Sequence, residues 1–371
     1  MKKRISHFYF HYPFCTSRCG YCSFYTEQFT LDKQKRYLNV IKAEILEYQK
    51  EYELVPRTLY FGGGSPSLLP PNLLTELIDL FSNKTSDCEI TIECNPITLT
   101  PAYIKEISTS DINRISLGIQ SMNKATLSYI GRRHKPQQVR DVIKNLREYG
   151  FHNISGDLIY GIPYQKVSDV RQDIDDFISL DLDHISIYCL SLDENAPLAR
   201  DKDLIPNDDI VADMYQLICN NLDQAGFDQY EISNFAKSGN FSRHNLAYWN
   251  QEDYLGLGAG AYGTIQQMRY NNRVFSSWEE DITNKSLFPN QEILSDKDRM
   301  NEFIMLQLRL NKGLDPQLLK QLYKFDLEKE KKDLIHKFIA SGLLEKNEKR
   351  LCLTDKSRFI SNYIISELME D

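Results

Sequence analysis

Residues 7–22 read HFYFHYPFCTSRCGYC, an aromatic run followed by three closely spaced cysteines. Aromatic residues are common in β-strands, and the run predicts a strand over residues 7–14. Cys15, Cys19 and Cys22 then fall within one loop directly after that strand. The strand therefore carries three thiols at its carboxyl end.

After this loop, β-rich runs alternate with longer helical stretches up to about residue 192. The predicted strands cover residues 7–14, 58–61, 89–93, 114–119, 154–160 and 184–190, with helical segments such as 31–52 and 136–149 between them. This alternation is typical of parallel strands joined by crossover helices. The sequence predicts an α/β fold, a partial (β/α)6 TIM-like barrel rather than a sandwich.

Distinctive residues stand in or just after these strands: Cys15, the glycines 62–64, Glu93, Gln120, Asp157 and Ser191. In α/β barrels, the carboxyl ends of the strands build the active site. We expect a single cavity ringed by these residues. The alternative is that they are ordinary loop and capping residues.

Beyond Asp208 the pattern changes to a helix, a glycine-rich stretch over residues 255–263 and a polar segment up to Asp296. Amphipathic helices are predicted over residues 298–309 and 327–340, and a small hairpin over residues 342–354. This end of the chain is predicted to be mostly helical and winged-helix-like. The predicted domains are a barrel (1–225), a connecting segment (226–295) and a C-terminal helical domain (296–371).

The 371 residues are 42% hydrophobic and 26% charged, which fits a globular protein of about two domains and excludes a collagen, a coiled coil or a disordered tail. The net charge of -8 argues against nucleic acid as a partner. The amino-terminal residues do not resemble a signal peptide, and no apolar run approaches the ~20 residues that span a bilayer. We expect a cytoplasmic protein; peripheral contact with a membrane stays open.

Eight cysteines without a secretory signal argue against a disulfide framework. Five of them are interpreted as small buried apolar side chains: Cys88, Cys94, Cys189, Cys219 and Cys352. The other three are typical of an iron–sulfur site, because a 4Fe–4S cluster on three thiolates leaves one iron open to a ligand. A structural zinc site needs four ligands, and His11 is the alternative fourth ligand. Glycines 62–64 would let bare backbone approach whatever binds there.

With these features the chain resembles the radical S-adenosylmethionine (SAM) superfamily, and within it the group of coproporphyrinogen dehydrogenases and HemW heme chaperones. The resemblance rests on residues 9–15 (YFHYPFC), 61–67 (FGGGSPS), 93–96 (ECNP), 116–121 (SLGIQS), 157–163 (DLIYGIP) and 243–249 (RHNLAYW). It implies a 4Fe–4S cluster, SAM and heme as cofactors.

The resemblance also implies roles for single residues. Cys15, Cys19 and Cys22 match the cluster ligands, and Tyr9, Gly63 and Glu93 match positions around the cluster-bound SAM. Gly64, Ser65, Gln120, Arg132 and Asp157 match positions that hold a second SAM in the dehydrogenase. Ser191 stands where the dehydrogenase has alanine, which leaves the second SAM open. Tyr21, between two ligands, would shield the cluster with its ring, unless it is plain loop packing.

His244 in the RHNLAYW phrase matches a heme-binding signature and is the implied iron ligand. His11 and His134 are alternative ligands, and without the resemblance His244 would be interpreted as a buried core histidine. Two further features favour the chaperone over the dehydrogenase: Tyr9 stands near the start of the chain, and Ser23-Phe24 follows Cys22 where the dehydrogenase has a further cysteine.

The resemblance thus implies a heme chaperone that passes heme to acceptors such as respiratory hemoproteins. The alternatives are an oxygen-independent coproporphyrinogen III dehydrogenase, an enzyme that oxidatively decarboxylates propionate side chains, and another radical SAM reaction such as methyl transfer or heme degradation. Whether the chain acts as an enzyme, and whether it forms a homodimer, stays open.

Overall fold

The computed structural model describes residues 2–370. Its strands are β1 (Lys3–Tyr12), β2 (Phe14–Cys15), β3 (Glu27–Gln28), β4 (Tyr52–Gly63), β5 (Glu89–Cys94), β6 (Arg114–Gln120), β7 (Ile154–Tyr160), β8 (His184–Cys189), β9 (Asp228–Gln229), β10 (Asn234–Ala236), β11 (Tyr254–Leu257), β12 (Tyr262–Ile265), β13 (Met268–Asn271), β14 (Asn290–Ile293), β15 (Leu344–Asn347) and β16 (Arg350–Leu353).

Its α-helices are α1 (Leu31–Glu51), α2 (Pro71–Asp79), α3 (Pro101–Ile107), α4 (Lys124–Tyr129), α5 (Pro136–Glu148), α6 (Val167–Ser179), α7 (Asp208–Gln224), α8 (Arg243–Trp249), α9 (Phe275–Thr283), α10 (Asp296–Leu308), α11 (Pro316–Tyr323), α12 (Leu327–Glu330), α13 (Lys332–Ala340) and α14 (Ser361–Leu368). Short 3-10 helices cover Pro66–Leu68 and Ala199–Leu204. The predicted first and third domains reach Met1 and Asp371, which lie outside the described residues.

The central sheet has the strand order β14-β13-β12-β11-β1-β4-β5-β6-β7-β8-β10-β9. The run β1, β4, β5, β6, β7 and β8 is parallel and in chain order, which is the pattern of a β/α barrel. These are the six predicted strands, and the α/β fold class is confirmed.

The parallel run curls so that its first and last strands approach each other at their carboxyl ends. The backbone N–H of Leu198, after β8, donates to the carbonyl of Gly20, in the loop after β1, over 2.8 Å. The N–H of Gly20 in turn donates to the carbonyl of Ile130 over 2.9 Å. The sheet is therefore a partial barrel whose open side is bridged at the top by the cysteine loop.

The interior of this barrel is polar, while its outer face is apolar. Inside, alternate residues of neighbouring strands form hydrogen bonds, such as Ser116 with Asp157 (3.3 Å) and Ser155 with His184 (2.8 Å). The residues between them point outward, as Phe8 and Leu59 do, and are buried with the helices in one large hydrophobic core. The period of two along each strand thus separates a polar interior, suited to a ligand, from the core that stabilises the fold.

Residues 254–293 extend the sheet, which the sequence analysis does not predict. β11 pairs in parallel with β1 on the side opposite β4, and β12, β13 and β14 continue in antiparallel order. Glycine usually weakens a strand, so the glycine-rich stretch is not typical of one. Here glycine is required, since a Cβ on Gly256 would lie 1.9 Å from the carbonyl oxygen of Tyr262. The proposed boundaries at residues 225 and 295 stay a prediction.

The short helix α8 closes the lower end of the barrel, opposite the cysteine loop. Ser242 caps the helix by accepting a hydrogen bond from the N–H of Asn245. The Glu89 carboxylate, at the start of β5, accepts hydrogen bonds from the N–H groups of Arg243 (2.9 Å) and His244 (3.0 Å). The first turn of the helix is therefore fixed to a barrel strand.

Helices α10 to α14 and the hairpin β15–β16 form a C-terminal unit with its own hydrophobic core, drawn from Met300 to Leu368. The helix predicted over residues 327–340 is broken into α12 and α13 at Lys331, whose φ of -111° and ψ of 24° are not helical. Among residues 2–370, no helix has both the length and the apolar composition that crossing a bilayer requires.

Candidate functional site

The cysteine loop is fixed to the barrel by backbone hydrogen bonds, and its cysteines line a cavity. Cys15 and Cys22 are half-buried, and their sulfur atoms lie at one cavity together with that of Cys19. The Cys15 thiol is 3.6 Å from the Ser65 hydroxyl, and a guanidinium nitrogen of Arg132 is 3.7 Å from the Cys19 sulfur. Burial raises the pKa of the Cys15 and Cys22 thiols, so a positive partner is needed to hold them as thiolates.

The glycine loop after β4 packs against the end of β1. The N–H of Gly64 donates to the carbonyl of Tyr12 over 2.7 Å, and that of Ser65 to the carbonyl of Phe14 over 3.0 Å. Gly63 has φ = 106°, a conformation that favours glycine. A Cβ on Gly62 would lie 2.9 Å from the Tyr9 ring. From the sequence, these glycines are expected to admit a ligand, but part of the space they leave is filled by the protein's own atoms.

Glu93, at the end of β5, is held by two donors. One carboxylate oxygen accepts a hydrogen bond from the Tyr60 hydroxyl (2.9 Å), and the other accepts one from the N–H of Gly63 (3.1 Å). Burial, followed by the nearby Asp157, raises the pKa of Glu93 to about 7. Sequence reasoning missed Tyr60, although it lies two residues before Gly62 on the same face of β4 and the period of two could have indicated it.

Arg132 links the cysteine loop to β6. One of its nitrogens donates to the carbonyl of Gly118, and another lies near the Cys19 sulfur. Its Nε is buried and has no partner among the described residues. Gln120, at the end of β6, has φ = 69°, which is uncommon for a residue with a side chain.

Asp157 stands inside the barrel on β7. It accepts a hydrogen bond from the Ser116 hydroxyl over 3.3 Å. Burial raises the pKa of Asp157 to about 6, although the buried Arg114 acts in the opposite direction. The two carboxyl groups of Asp157 and Glu93 share the cavity with three arginines, Arg18, Arg132 and Arg133.

A single cavity of about 420 Å³ brings most of the predicted residues together. The predicted residues that line it are Cys15, Cys19, Tyr21, Cys22, Gly63, Gly64, Ser65, Glu93, Gln120, Arg132, Asp157 and Ser191. Tyr21 also packs against a small apolar cluster beside the loop, so both interpretations of its ring agree with its position. The roles of these residues stay predictions.

The cavity has further lining residues that sequence reasoning missed: Arg18, Phe24, Ile97, Arg133, Tyr188 and Cys189. Cys189 is exposed, so its interpretation as a small buried side chain is wrong. It is the last residue of β8, where the sheet opens to the cavity, and its place at a strand end was the available signal.

Two predicted residues do not line the cavity. Tyr9 lies beneath it, with its hydroxyl 3.1 Å from Nδ1 of His11 and its ring stacked on Tyr60. His244 is buried near the bottom of the barrel with 1% of its surface exposed. Its Nδ1 lies 2.7 Å from the Thr58 hydroxyl and its Nε2 lies 2.6 Å from the Tyr248 hydroxyl, so both ring nitrogens are occupied.

The alternative histidines are also buried. His11 bonds to Tyr9 and, through Nε2, to the carbonyl of Tyr25 (3.0 Å). His134 bonds through Nε2 to the carbonyl of Ile119 (3.1 Å). Neither lines the cavity. Burial lowers the pKa of both imidazoles, so they are neutral.

The donor set fits an iron–sulfur cluster better than a single metal ion. Among residues 2–370, no three His, Cys, Asp or Glu side chains converge on one point as ligands of one ion would. A 4Fe–4S cluster binds one thiolate at each iron, so its three cysteines surround the cluster rather than a point. The unpartnered Nε of Arg132 and the carboxylates of Glu93 and Asp157 offer groups for the charged and hydroxyl parts of SAM beside it.

Comparison with known proteins agrees with this geometry. Residues 9–177 match the family described as the Radical SAM superfamily, and residues 294–360 match the family described as the HemN C-terminal domain. The protein named heme chaperone HemW from Lactococcus lactis is 35% identical over 373 residues, which cover 98% of this chain and 97% of that protein. The chain belongs to the HemW family of radical SAM proteins. The protein of the same name from Bacillus subtilis is 30% identical, and the match covers 97% of this chain and 98% of that protein.

Membership of the radical SAM superfamily confirms the predicted family and implies a 4Fe–4S cluster and SAM as its cofactors. Coproporphyrinogen III oxidase (HemN) from Escherichia coli, described as a radical SAM enzyme, has a similar structure with a TM-score of 0.86. The similarity covers 99% of this chain and 90% of that one at 22% identity. At that identity the likeness shows the radical SAM fold alone.

Proposed function

We propose that this chain is a heme chaperone that binds heme, a 4Fe–4S cluster and SAM and transfers the heme to acceptor hemoproteins. The observation that carries the proposal is the near-complete match to proteins named heme chaperone HemW, at 35% and 30% identity. A match over the whole chain includes the RHNLAYW phrase and the C-terminal unit as well as the cluster loop.

The cluster and SAM sites follow from the cavity. Cys15, Cys19 and Cys22 would bind the cluster, which supplies an open iron for SAM when it is present. Glu93 and Asp157 would accept hydrogen bonds from the ammonium and ribose hydroxyl groups of SAM, and Arg132 would donate to its carboxylate.

The mouth of the same cavity supports heme as a ligand. Phe24 and Ile97 line it with 64% and 45% of their surfaces exposed. Exposed large apolar side chains are costly in water and suit the flat face of a porphyrin. Arg18 and Arg133 line the same cavity, and guanidinium groups suit propionate carboxylates.

Acceptors, including respiratory hemoproteins, would approach this mouth. Location in the cytoplasm, peripheral membrane contact, homodimer formation and the absence of nucleic-acid partners stay predictions of the sequence.

The test is to reconstitute the protein anaerobically, titrate it with heme, and assay the same preparation for coproporphyrinogen III turnover. We expect stoichiometric heme binding, transfer of that heme to an apo-hemoprotein, and no turnover. Turnover without stable heme binding would instead identify the dehydrogenase activity.

A further inference from the structure

We infer that His244 is not the heme-iron ligand but a positioning residue that supports the SAM end of the cavity from below. The inference rests on the proposed function only for the ligands that it names, SAM and heme. Its basis is the contact chain that runs from His244 through Tyr60 to Glu93.

The first step of this chain is the contact between two rings. The His244 imidazole stacks on the Tyr60 ring with centroids 4.9 Å apart and planes 24° apart. Tyr9 also stacks on Tyr60, with centroids 6.0 Å apart, and its ring lies 6.4 Å from that of His244. The Tyr60 ring therefore packs against both His244 and Tyr9.

The second step leads from Tyr60 into the cavity. Its hydroxyl donates to one oxygen of Glu93, whose other oxygen accepts from the N–H of Gly63. Glu93 and Gly63 both line the cavity, whereas Tyr60 does not. A shift of the Tyr60 ring would thus remove one of the two donors that orient the Glu93 carboxylate.

His244 itself is tied on every side, which opposes its release to bind iron. Thr58 and Tyr248 occupy both ring nitrogens, and the backbone N–H of His244 donates to Glu89. At the other end of α8, the carbonyl of Trp249 accepts a hydrogen bond from Gln307 of the C-terminal unit over 2.8 Å. To bind iron through either ring nitrogen, His244 would have to give up a buried hydrogen-bond partner, Thr58 or Tyr248.

Glu89 provides a second connection between α8 and the SAM end of the cavity. It begins β5 and accepts hydrogen bonds from the first N–H groups of α8, while Glu93, the next-to-last residue of β5, lines the cavity. The RHNLAYW phrase therefore forms a floor that is joined to the SAM end through β5 and through Tyr60. This arrangement accounts for the phrase without assigning it a heme ligand.

The decisive variant is His244→Gln, because an amide can hydrogen-bond to Thr58 or Tyr248 but offers no imidazole nitrogen to iron. The companion His244→Ala removes both the hydrogen bonds and the ring beneath Tyr60. Both are measured as full-length proteins with reconstituted clusters, by SAM equilibrium binding and by heme titration followed through the Soret band. We expect His244→Ala to weaken SAM binding at least tenfold, His244→Gln to weaken it less, and neither variant to change heme affinity or the Soret spectrum.

His184→Ala is the matched control. His184 is also fully buried in the barrel and bonded through both nitrogens, to Ser155 and Tyr230, each over 2.8 Å, but its ring packs on Tyr230 rather than Tyr60. His184→Ala should lower the stability of the fold about as much as His244→Ala does, while its SAM affinity stays within about twofold of that of the wild type. Equal loss of SAM affinity in His184→Ala and His244→Ala would overturn the positioning role.

Tyr60→Phe keeps the stacked ring and removes only the hydroxyl that donates to Glu93. This variant tests the same contact chain if His244→Ala fails to fold. It should weaken SAM binding and shift its pH profile to higher pH, with heme binding unchanged. Loss of the heme Soret band in His244→Gln would overturn the inference, whatever happens to SAM. A wild-type protein that binds no heme would contradict the proposed function instead, while the SAM comparison would still test the contact chain.

Discussion

Gly64 lies so close to Pro13 that a Cβ on residue 64 would stand 2.8 Å from the carbonyl carbon of Pro13. The contact joins the glycine loop after β4 to the end of β1, immediately before the first cysteine. Two backbone hydrogen bonds, from Gly64 to Tyr12 and from Ser65 to Phe14, run beside it. The position of the cysteine loop thus depends on the absence of a side chain at Gly64, in the loop that follows β4.

We expect Gly64→Ala to destabilise the apo protein by about 1–3 kcal/mol, the usual cost of forcing atoms into a packed site. It should also lower the iron content after reconstitution, since the loop that carries Cys15 must move. Gly150→Ala is the control: Gly150 has φ = 87° and open space around it, so only backbone strain of about 1 kcal/mol applies, with normal iron content. Urea unfolding and iron analysis measure both effects; normal iron content in Gly64→Ala would refute the structural reason given.

Replacing any one of Cys15, Cys19 or Cys22 by serine should abolish cluster assembly, because a hydroxyl is a poor substitute for a thiolate on iron. Cys189→Ser is a sharp control, since Cys189 lines the same cavity but stands on β8. It should keep wild-type iron and sulfide content. The assignment fails if Cys189→Ser loses the cluster and a loop variant retains it.

SAM binding should strengthen as the pH rises through 7. The pKa of Glu93 is raised to about 7, so its carboxyl is neutral below that pH and ionised above it, and only the ionised form attracts an ammonium group. Between pH 6 and pH 8 the ionised fraction, and with it the apparent affinity, should rise about tenfold. The charge of Asp157 raises the pKa of Glu93 and that of Arg114 lowers it, so neither residue is substituted in this experiment.

The control for this pH profile is Glu93→Gln, which should bind SAM weakly with a flat profile over the same range. In the apo protein, the raised pKa of Glu93 makes the stability of the fold change with pH in the direction opposite to SAM binding. Folded Glu93 holds its proton between its ordinary pKa of 4.5 and about 7, so its contribution to stability falls as the pH rises through that range. An unaltered pH slope in Glu93→Gln would assign the titration to another group.

Arg132→Lys should weaken SAM binding about tenfold or more, because one ammonium group cannot replace a fork that donates to Gly118 and also lies beside the Cys19 sulfur. Hydrogen bonds to charged groups contribute about 1.5–3 kcal/mol each. Arg140→Lys, at a surface ion pair with Asp176, is the matched substitution and should leave SAM affinity unchanged. Equilibrium binding to the reconstituted proteins distinguishes them.

Heme affinity should depend on the apolar mouth of the cavity. The double change Phe24→Ser and Ile97→Ser should weaken heme binding about tenfold or more, because each side chain contributes on the order of 1 kcal/mol of apolar contact. Ile293→Ser is the control, since Ile293 is 68% exposed on the edge strand β14 and does not line the cavity. Heme titration gives both values; equal effects in the two proteins would place heme elsewhere.

The parallel strands and their sequence of polar ends could be predicted because strand periodicity and strand ends are local properties. The cysteine and glycine loops, Glu93, Gln120 and Asp157 reach one cavity for that reason. The extension β11–β14 could not be predicted, because the need for Gly256 arises only when β12 folds back onto it.

The place of His244 was equally hidden from the sequence. A histidine among aromatic residues can face either a ligand or a core, and only the tertiary contacts with Thr58 and Tyr60 distinguish the two. Cys189 was misjudged for a related reason: a thiol is buried or exposed according to how its strand ends, which composition does not record.

The pairing of β1 with both β4 and β11 has a consequence for synthesis on the ribosome. Residues 3–12 are made long before their second partner, because one flank of β1 stays unpaired until residues 254–257 have been made, more than two thirds of the way along the 371-residue chain. Such long-range pairing slows folding and leaves an unprotected strand edge in the nascent chain. The strand that leads into the cysteine loop therefore completes its pairing only late in translation.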